Sequence, residues 1–290
     1  MNARYLLRPA SRIARSGRNN IASGIQSRRI TNYAGKTFTL NTGDKIPAIG
    51  CGTFQDKEQQ QGAVLEALKA GIDYVDLFLL HYPCTFARGV ERFPKSPDGL
   101  MVMGETTYVD TWKALQEIMK RTGKMKAIGV SNFNQEEVEG LISAGMAPAV
   151  HQMEVHPFLT QPRFTQWHKD RGIHVQQFSP LGNQNSFYRD IYWSNGRANR
   201  GRLIEEPLLI EIGQKYGKSP AQVALAWGIN HGRSVIPKST IPWQIKQNVA
   251  SVFDLEEEDM KRIDGLNADL RFNTPDEAYR WPLYKGLDGV

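Results

Sequence analysis

Polar side chains stand at the ends of several apolar runs in this sequence, where the strands of a parallel sheet would hold a small molecule. His81 ends one run, Ser131 and Asn132 end the next, and Gln152 lies within a third. Each residue alone fits a packed or turn-capping role as well as a binding role. Because parallel strands end at the same edge of a sheet, their succession predicts one shared site for a polar ligand.

Lys238 and Ser239 have the chemistry of a phosphate site. They follow the last predicted strand and precede a helix that begins at Pro242. The first turn of a helix offers free N–H groups and a positive dipole end to an anion. A Lys and a hydroxyl at this place predict a phosphate-bearing ligand, and a solvated surface Lys is the alternative.

The elements that would position these residues alternate between apolar runs and helical patterns. Several apolar runs are continuous, which is typical of a parallel sheet covered on both faces. The alternation predicts an α/β fold, as a barrel or an open sheet, and the absence of Gly-x-Gly-x-x-Gly after the first strand disfavours a Rossmann domain. Strands are predicted at residues 48–53, 74–81, 125–131, 149–155, 174–178 and 234–238, and helices at 57–70, 106–121, 135–143, 161–171, 207–216 and 220–230.

The positive charge of the chain is concentrated near its N-terminus. Residues 1–43 contain eight of the 36 Lys and Arg residues and no Asp or Glu, so the rest is nearly neutral. An acid-free arm rich in Arg and Ser is typical of a mitochondrial transit peptide, with a disordered tail or a nucleic-acid arm as alternatives. We expect an arm at residues 1–35 and one folded body at 36–290, in the mitochondrial matrix if the arm is a targeting signal and in the cytoplasm otherwise.

Composition disfavours several other classes. No apolar run approaches the roughly 20 residues of a membrane-spanning helix, so no membrane partner is expected. The two cysteines, Cys51 and Cys84, have neither the spacing of metal ligands nor that of a disulfide framework. The arm carries no accompanying nucleic-acid motif, so we expect neither a nucleic-acid partner nor a metal.

Six short stretches are specific enough, taken in order, to indicate a family. They are the hairpin KTFTL-NTGD-KIPAIG with IGCGTF at residues 49–54, YVDLFLLHYP at 74–83, GVSNF at 129–133, HQMEVHP at 151–157, FSPLG at 178–182 and IPKS at 236–239. Over about residues 36–285 they resemble the motifs of the aldo-keto reductases. The resemblance implies an (α/β)8 TIM barrel with an N-terminal β-hairpin, and a monomeric oxidoreductase that reduces aldehydes, ketones or sugars with NADPH.

The resemblance also implies which residues act in the site. His81 is the catalytic residue that matches the family pattern, and NADP is the expected cofactor, with NAD as the alternative. Phe178 stands where a nicotinamide-stacking Tyr is usual, and its ring can still stack. The implied cofactor-binding residues are Ser131, Asn132 and Gln152 at the nicotinamide carboxamide, Phe178 against its ring, Ser179, Leu181 and Gly182 at the pyrophosphate, and Lys238, Ser239 and Asn248 at the adenosine end.

Two residues depart from the family pattern at the adenosine end. Gln244 stands where the family usually has an Arg for the 2′-phosphate, and Gln247 stands where it has a Glu near the adenine. An Arg would make a bidentate, charge-assisted contact worth about 1.5–3 kcal/mol. We therefore predict a weakened preference for NADPH over NADH.

The stretch EALKAGIDYVDLFLLHYP, at residues 66–83, joins the first helix directly to the strand that ends in His81. In the family two further βα units lie between these elements, about 60 residues in all. The resemblance therefore implies that this segment is absent between Gly71 and Ile72, which leaves a barrel truncated to about six core strands. An Asp, a Tyr and a Lys, three of the family's four catalytic residues, belong to the absent segment.

Tyr82 is adjacent to His81, but alternation along a strand predicts that it faces the helices and does not replace the absent Tyr. Three hypotheses follow: an NADP-dependent carbonyl reductase with impaired activity, a catalytically inactive NADP(H)-binding protein, and an incomplete coding sequence or splice product. A gapped barrel and a six-stranded closed barrel both stay open. Phe187, Trp193 and Trp281, the last in the C-terminal segment (residues 271–290), are candidate walls of the substrate pocket, with exposed or packed aromatics as the alternative.

Overall fold

The computed structural model describes residues 35–52, 74–89, 91, 93–182 and 201–287. All of these residues belong to one compact unit, Asn32–Val290. Residues 1–34 of the predicted arm, the predicted helix at 57–70, the junction between Gly71 and Ile72, and the candidate pocket residues Phe187 and Trp193 lie outside the described residues.

The folded body begins with the predicted β-hairpin. Strand β1 (Thr37–Thr39) pairs antiparallel with β2 (Lys45–Pro47). Gly43 has a φ of 88°, in the region that glycine adopts without steric cost, and its N–H donates to the Leu40 carbonyl over 2.9 Å. The turn motif NTGD therefore forms the tight connection that its sequence predicts.

Five parallel strands form the main sheet in the order β3-β4-β5-β6-β7. Each strand lies beside the next one in the chain, as in an arc of a βα barrel. The predicted parallel α/β architecture is therefore confirmed. The strands are β3 (Val75–Leu80), β4 (Met125–Ser131), β5 (Val150–Glu154), β6 (His174–Phe178) and β7 (Ser234–Val235).

Residues 48–52 run alongside β7 and add a sixth extended segment. Ile49 forms a parallel bridge with Val235, and the Gly52 N–H donates to the Pro237 carbonyl over 3.0 Å. A Cβ on Gly52 would lie 2.7 Å from a backbone oxygen of the facing segment, so a glycine is needed there. Strand β7 is shorter than predicted because Pro237 has no N–H to continue the ladder. Among the described residues, the sheet consists of five strands and this extension, and the truncation to about six core strands stays a prediction.

The sheet is open between residues 48–52 and β3. Within the described part of the chain, no backbone hydrogen bond joins these two edges. Val75 and Phe78 of β3 are each 43% exposed, although a strand inside a barrel would bury such side chains. The described residues therefore leave these two edges of the sheet unpaired with each other.

Helices cover the outer face of the sheet through two apolar clusters. Trp112 and Leu141 pack against Ile128 of β4, while Trp227 and Ile212 pack in the cluster that includes side chains of β5 and β6. Burial of large side chains of this kind contributes about 1.5–3 kcal/mol each. The helices are α1 (Tyr108–Thr122), α2 (Gln135–Ser143), α3 (Pro162–Asp170), α4 (Pro207–Tyr216), α5 (Pro220–Asn230), α6 (Pro242–Val249), α7 (Glu257–Asp264) and α8 (Asp276–Tyr279).

Helices α2, α4 and α5 have the predicted bounds, and α1 and α3 differ by only one or two residues at their ends. Helix α5 begins at a capping box, in which Ser219 accepts the Gln222 N–H and the Gln222 side chain accepts the Ser219 N–H. Helix α7 was not predicted. Its residues are mostly charged, and only Asp259 and Ile263 are buried, so it lacks a clear apolar stripe.

Three classes of feature are absent from the described residues. No helix there is both long and apolar enough to cross a membrane. No group of His, Cys, Asp and Glu side chains in those ranges is arranged to hold a metal ion. Cys51 and Cys84 are free thiols, the first exposed and the second half-buried.

Candidate functional site

Four of the predicted polar residues form one hydrogen-bonded patch at the carboxyl ends of β3, β4 and β5. Ser131 of β4 pairs with Gln152 of β5. The Asn132 N–H donates to the Gln152 carbonyl over 3.2 Å, and Asn132 Nδ2 donates to the His81 carbonyl over 3.1 Å. The structure therefore brings together His81, Ser131, Asn132 and Gln152, as the succession of strand ends predicted.

The Asn132 side chain has a fixed orientation. A carbonyl oxygen only accepts, so the amide nitrogen must face His81, and it also donates to Ser131 Oγ over 3.0 Å. The amide oxygen therefore faces the Tyr284 hydroxyl, which donates to it over 2.9 Å. Asn132 is 1% exposed and has a φ of 62°, a conformation that Asn tolerates better than most residues. Tyr284 was not predicted to take part in this site.

Gln152 is held by a second carboxamide. Its Nε2 donates to Gln176 Oε1 over 2.7 Å, between paired residues of β5 and β6. Phe178 ends β6 and is half-buried. The sequence analysis passed over Gln176, because a single Gln inside a strand carries no motif.

The turn after β6 has unusual backbone angles. Ser179 has a φ of 46°, which is uncommon for a residue other than glycine, and Gly182 has a φ of 64°. The Gly182 N–H closes the turn on the Ser179 carbonyl over 2.8 Å. Leu181 is half-buried and packs against two apolar clusters, which fixes the turn to the body of the protein.

The predicted phosphate group of residues lies farther along the same edge, where α6 begins. Lys238 is exposed and Asn248 is half-buried on α6. The Ser239 hydroxyl donates to Gln244 Oε1 over 2.6 Å and accepts the Ile241 N–H over 3.0 Å. Gln244, the residue in place of the expected Arg, therefore contacts the Ser239 hydroxyl itself.

The predicted orientation of Tyr82 was wrong. The rings of His81 and Tyr82 are stacked, with centroids 4.7 Å apart and planes at 28°. Strand β3 ends at Leu80, so both residues lie beyond it and the alternation of strand side chains no longer applies. Tyr82 also meets the ring of Tyr279 edge-on at 5.0 Å, which ties the end of β3 to the C-terminal segment.

Glu154, at the end of β5, holds the start of the C-terminal segment. Its carboxylate is fully buried and accepts the Phe272 N–H over 2.8 Å and the Asn273 N–H over 2.9 Å. Burial alone raises the pKa of such a carboxyl, but the hydrogen bond from His156 and the charge of Arg271 outweigh it and hold the pKa of Glu154 below its usual value. Glu154 thus stays an ionised acceptor.

Two buried histidines, His151 of β5 and His168 of α3, form a chain of hydrogen bonds next to the site residues. The Phe133 N–H donates to His151 Nε2, so His151 carries its proton on Nδ1 and donates to His168 Nε2 over 2.6 Å. His168 Nδ1 then donates to the Phe164 carbonyl over 2.6 Å. Both rings are therefore neutral, and burial lowers the pKa of His168 to about 4.

Trp281, one of the predicted pocket walls, has a structural partner. Its Nε1 donates to Glu137 Oε1 over 2.6 Å. Glu137 also accepts the Asn134 N–H over 2.8 Å and so completes the capping box of α2. The side chain of Trp281 therefore anchors the C-terminal segment to the helix that follows Ser131 and Asn132.

Comparison with known proteins agrees with this arrangement. The family model described as "Aldo/keto reductase family" matches residues 48–268. This chain belongs to the aldo/keto reductase family. The resemblance read from the motifs is thereby confirmed, and the arc of parallel strands with its N-terminal hairpin is part of the (α/β)8 barrel that this family implies.

Individual relatives are similar at moderate identity. An uncharacterized oxidoreductase of Schizosaccharomyces pombe is 38% identical over 220 residues, covering 75% of this chain and 65% of the relative. Aldo-keto reductase family 1 member A1 of Sus scrofa is 40% identical over 207 residues, covering 70% of this chain and 61% of the relative. The Gallus gallus protein of the same name is 40% identical over 224 residues, covering 76% and 65%. The chain thus spans less than two thirds of the length of these relatives.

The donors and acceptors of the patch fit a nicotinamide carboxamide. Ser131 accepts from Asn132 and, among the described residues, retains its own O–H for a ligand carbonyl. The Asn132 amide oxygen accepts one hydrogen bond, from Tyr284, and has a second lone pair. Gln152 uses one of its two N–H groups on Gln176. A planar amide with one acceptor and one donor group complements this set.

Proposed function

We propose that this protein is an NADP-dependent aldo/keto reductase that reduces small aldehydes, ketones or sugars. The observation that carries the proposal is the hydrogen-bonded patch of Ser131, Asn132 and Gln152, whose remaining donors and acceptors match a carboxamide. The family membership supports it, because the relatives are named as oxidoreductases or aldo-keto reductases. NADPH is the expected cofactor, and NADH is the alternative.

Different residues along this edge of the sheet would bind different parts of the cofactor. Ser131 and Gln152 would donate to the oxygen of the carboxamide, and Asn132 would accept from its nitrogen. The ring of Phe178 would stack on the nicotinamide, while Lys238 would meet the phosphate at the far end. A bound NADPH supplies the hydride.

His81 would orient the substrate. Its side chain is exposed beyond β3, and its carbonyl is bound by Asn132, so it stands next to the nicotinamide residues. An imidazole N–H there can donate to a substrate carbonyl oxygen and favour the negative charge that develops on it. A proton donor with a suitably lowered pKa is also required for fast reduction.

We also propose that an internal segment of about two βα units is absent between Gly71 and Ile72. Two observations support this: the chain spans less than two thirds of its relatives, and the apolar strand β3 is an exposed edge. The three other catalytic residues implied by the resemblance belong to that segment. We therefore expect cofactor binding to persist while carbonyl reduction is slow.

A catalytically inactive NADP(H)-binding protein is the second candidate. It is favoured because strands β4 to β7, which carry or precede the nicotinamide and phosphate residues, are paired in one sheet. The third reading is an incomplete coding sequence or splice product. A tryptic peptide AGIDYVDLFLLHYPCTFAR, residues 70–88, in native protein would exclude that reading; peptides from two intervening βα units would support it.

Two assays on the purified chain separate the functions. Binding is measured by calorimetric titration with NADPH, and turnover by NADPH absorbance in the presence of a small aromatic aldehyde. Binding with slow aldehyde-dependent oxidation supports the proposal, and binding with none at all supports the inactive protein. Rapid oxidation would overturn the claim that the proton donor is missing, and an absence of binding by folded protein would overturn the cofactor site.

A further inference from the structure

The C-terminal segment contacts the candidate nicotinamide residues through one buried hydroxyl. Tyr284 is 2% exposed, and its hydroxyl donates to Asn132 Oδ1 over 2.9 Å. The direction of this hydrogen bond is fixed, because the other end of the Asn132 amide must donate to the His81 carbonyl. We propose that Tyr284 is a positioning residue that holds Asn132 for the nicotinamide end of the cofactor; this inference rests on the proposed cofactor binding.

The ring of Tyr284 is itself fixed by a buried cation. The Arg271 guanidinium lies 4.2 Å from the centroid of the Tyr284 ring, and Arg271 is 1% exposed. Its Nη2 donates to Gln161 Oε1 over 3.1 Å. A cation over a desolvated aromatic ring is a strong form of this contact, so the hydroxyl is presented from a rigid support.

Strand β5, which carries Gln152, also holds the residues next to Arg271 in place. Glu154, two residues farther along β5, accepts the backbone N–H groups of Phe272 and Asn273. The Glu154 carbonyl in turn accepts Gln161 Nε2 over 2.6 Å. Strand β5 therefore carries Gln152 and also binds the start of the C-terminal segment.

The end of the segment near Tyr284 is held separately. Trp281 donates to Glu137 of α2, the helix that follows Asn132 in the chain. Tyr284 has a φ of 63°, which is uncommon for a bulky residue and persists only where surrounding contacts impose it. Contacts of Trp281 and of Arg271 therefore fix the position of the Tyr284 hydroxyl.

Loss of the Tyr284 hydroxyl is expected to weaken binding of the nicotinamide end of the dinucleotide only. Removing the hydroxyl deprives the buried Asn132 amide of one of its three partners and lets it turn away from the carboxamide position. The cost of one neutral hydrogen bond corresponds to a change of about threefold to tenfold in affinity. The residues near the start of α6 have no part in this chain of contacts, so the adenosine end keeps its affinity.

The test is Tyr284→Phe in the full chain, with two ligands. NADPH and 2′-phospho-ADP-ribose, which lacks the nicotinamide, are titrated calorimetrically. We expect the Kd for NADPH to rise about threefold to tenfold and that for 2′-phospho-ADP-ribose to stay unchanged. An unchanged Kd for NADPH, or an equal rise for both ligands, overturns the inference. If the wild-type chain binds neither ligand, the proposed function fails and the inference falls with it.

Tyr216→Phe is the matched control. The Tyr216 hydroxyl donates to Asp259 and accepts the Glu256 N–H in a cluster on α4 and α7. The same atom is lost there, and both Kd values are expected to stay unchanged. If Tyr284→Phe does not fold, Trp281→Phe loosens the same segment: a rise in the Kd for NADPH alone supports the inference, and an equal rise for both ligands, or none, contradicts it.

Discussion

At the scale of single residues, the site depends on side chains whose polar atoms hold one another in place. Asn132 illustrates this, since its amide contacts His81, Ser131 and Tyr284 at once. A ligand carboxamide then meets groups that need little reorganisation, which lowers the cost of binding. Substitution of one of these side chains is therefore expected to change the affinity for the ligand.

Gln244 is expected to weaken the preference for NADPH over NADH. Substituting Arg for Gln244 restores a charge-assisted contact to the 2′-phosphate next to Ser239, and we expect the ratio of NADH to NADPH Kd values to rise about tenfold or more. Fluorescence titration of both nucleotides measures this ratio, and Gln244→Lys shows whether charge alone suffices. A wild-type preference for NADPH above about a hundredfold would contradict the prediction.

His168 is expected to make the fold sensitive to mild acid. Burial lowers its pKa to about 4, while the unfolded chain has the ordinary value near 6.5. As the pH falls below about 6.5 the unfolded state takes up the proton first, so stability is lost down to about pH 4, by on the order of 3 kcal/mol. Urea unfolding at several pH values measures this loss.

His168→Gln is the informative variant, because Gln supplies an acceptor for His151 and a donor for the Phe164 carbonyl without titrating. We expect a shallower fall in the free energy of unfolding between pH 6.5 and 4. Replacing the surface residue His231 by Gln is the control. The same fall in the His168→Gln protein would show that other groups cause the acid sensitivity.

The predicted site residues were found through motifs, and the residues without motifs were missed. Ser131, Asn132 and Gln152 stand in short stretches that are specific in order and spacing. Tyr284 and Gln176 have no such context, and their partners are set by the tertiary fold. The orientation of Tyr82 failed for another reason: the end of β3 at Leu80 was placed one residue too late.

At the scale of elements, helix α2 connects the site to the rest of the protein. It begins directly after the Asn132 region, with Asn134 as its cap and Glu137 completing the capping box. The same Glu137 carboxylate holds Trp281 of the C-terminal segment. The start of one helix therefore positions two parts of the site.

Asn134→Ala is expected to lower the free energy of unfolding by about 1 kcal/mol, because the Glu137 N–H loses its acceptor. Asn134→Ser retains a capping oxygen and should lose much less. Chemical denaturation of the three proteins measures the difference. Equal losses for Ala and Ser would show that the cap itself contributes little.

Elements with a clear pattern were predicted well. Helices α2 and α5 begin with capping boxes, and α2, α4 and α5 all bury apolar residues, so local sequence and tertiary packing agree. Helix α7 lies on the surface with a largely charged sequence, and its position is decided by contacts such as the pair between Lys215 and Asp259. Such contacts produce no periodic pattern of apolar residues in the sequence.

At the scale of the whole molecule, the described residues form an arc of parallel strands with two separate edges. Among the described residues, strand β3 combines exposed apolar side chains with a backbone edge that pairs on one side only, and edges of this kind invite pairing with other chains. The motifs predicted the family, and the absence of two βα units stays a proposal. They did not predict whether the remaining strands would close, because closure depends on the shear and tilt of the whole sheet.

Phe78→Lys is expected to reduce self-association. The side chain is 43% exposed on β3, so the free energy of unfolding should change by less than about 1 kcal/mol. Ile210→Lys, at a position on α4 that is 40% exposed, adds the same charge away from the sheet edge. Sedimentation velocity over a range of concentrations should show less association for Phe78→Lys only. Equal effects of both variants would indicate that charge alone is responsible.

The pairing of residues 48–52 with β7 also affects how the chain is made. Strands β3 to β6 each find their neighbour soon after it is synthesised, because neighbours in the sheet are neighbours in the chain. Residues 48–52 instead pair with Val235, near the other end of the sequence. On a ribosome, residues 48–52 remain without this partner until most of the protein has been translated, and pairing across so long a stretch of sequence slows folding.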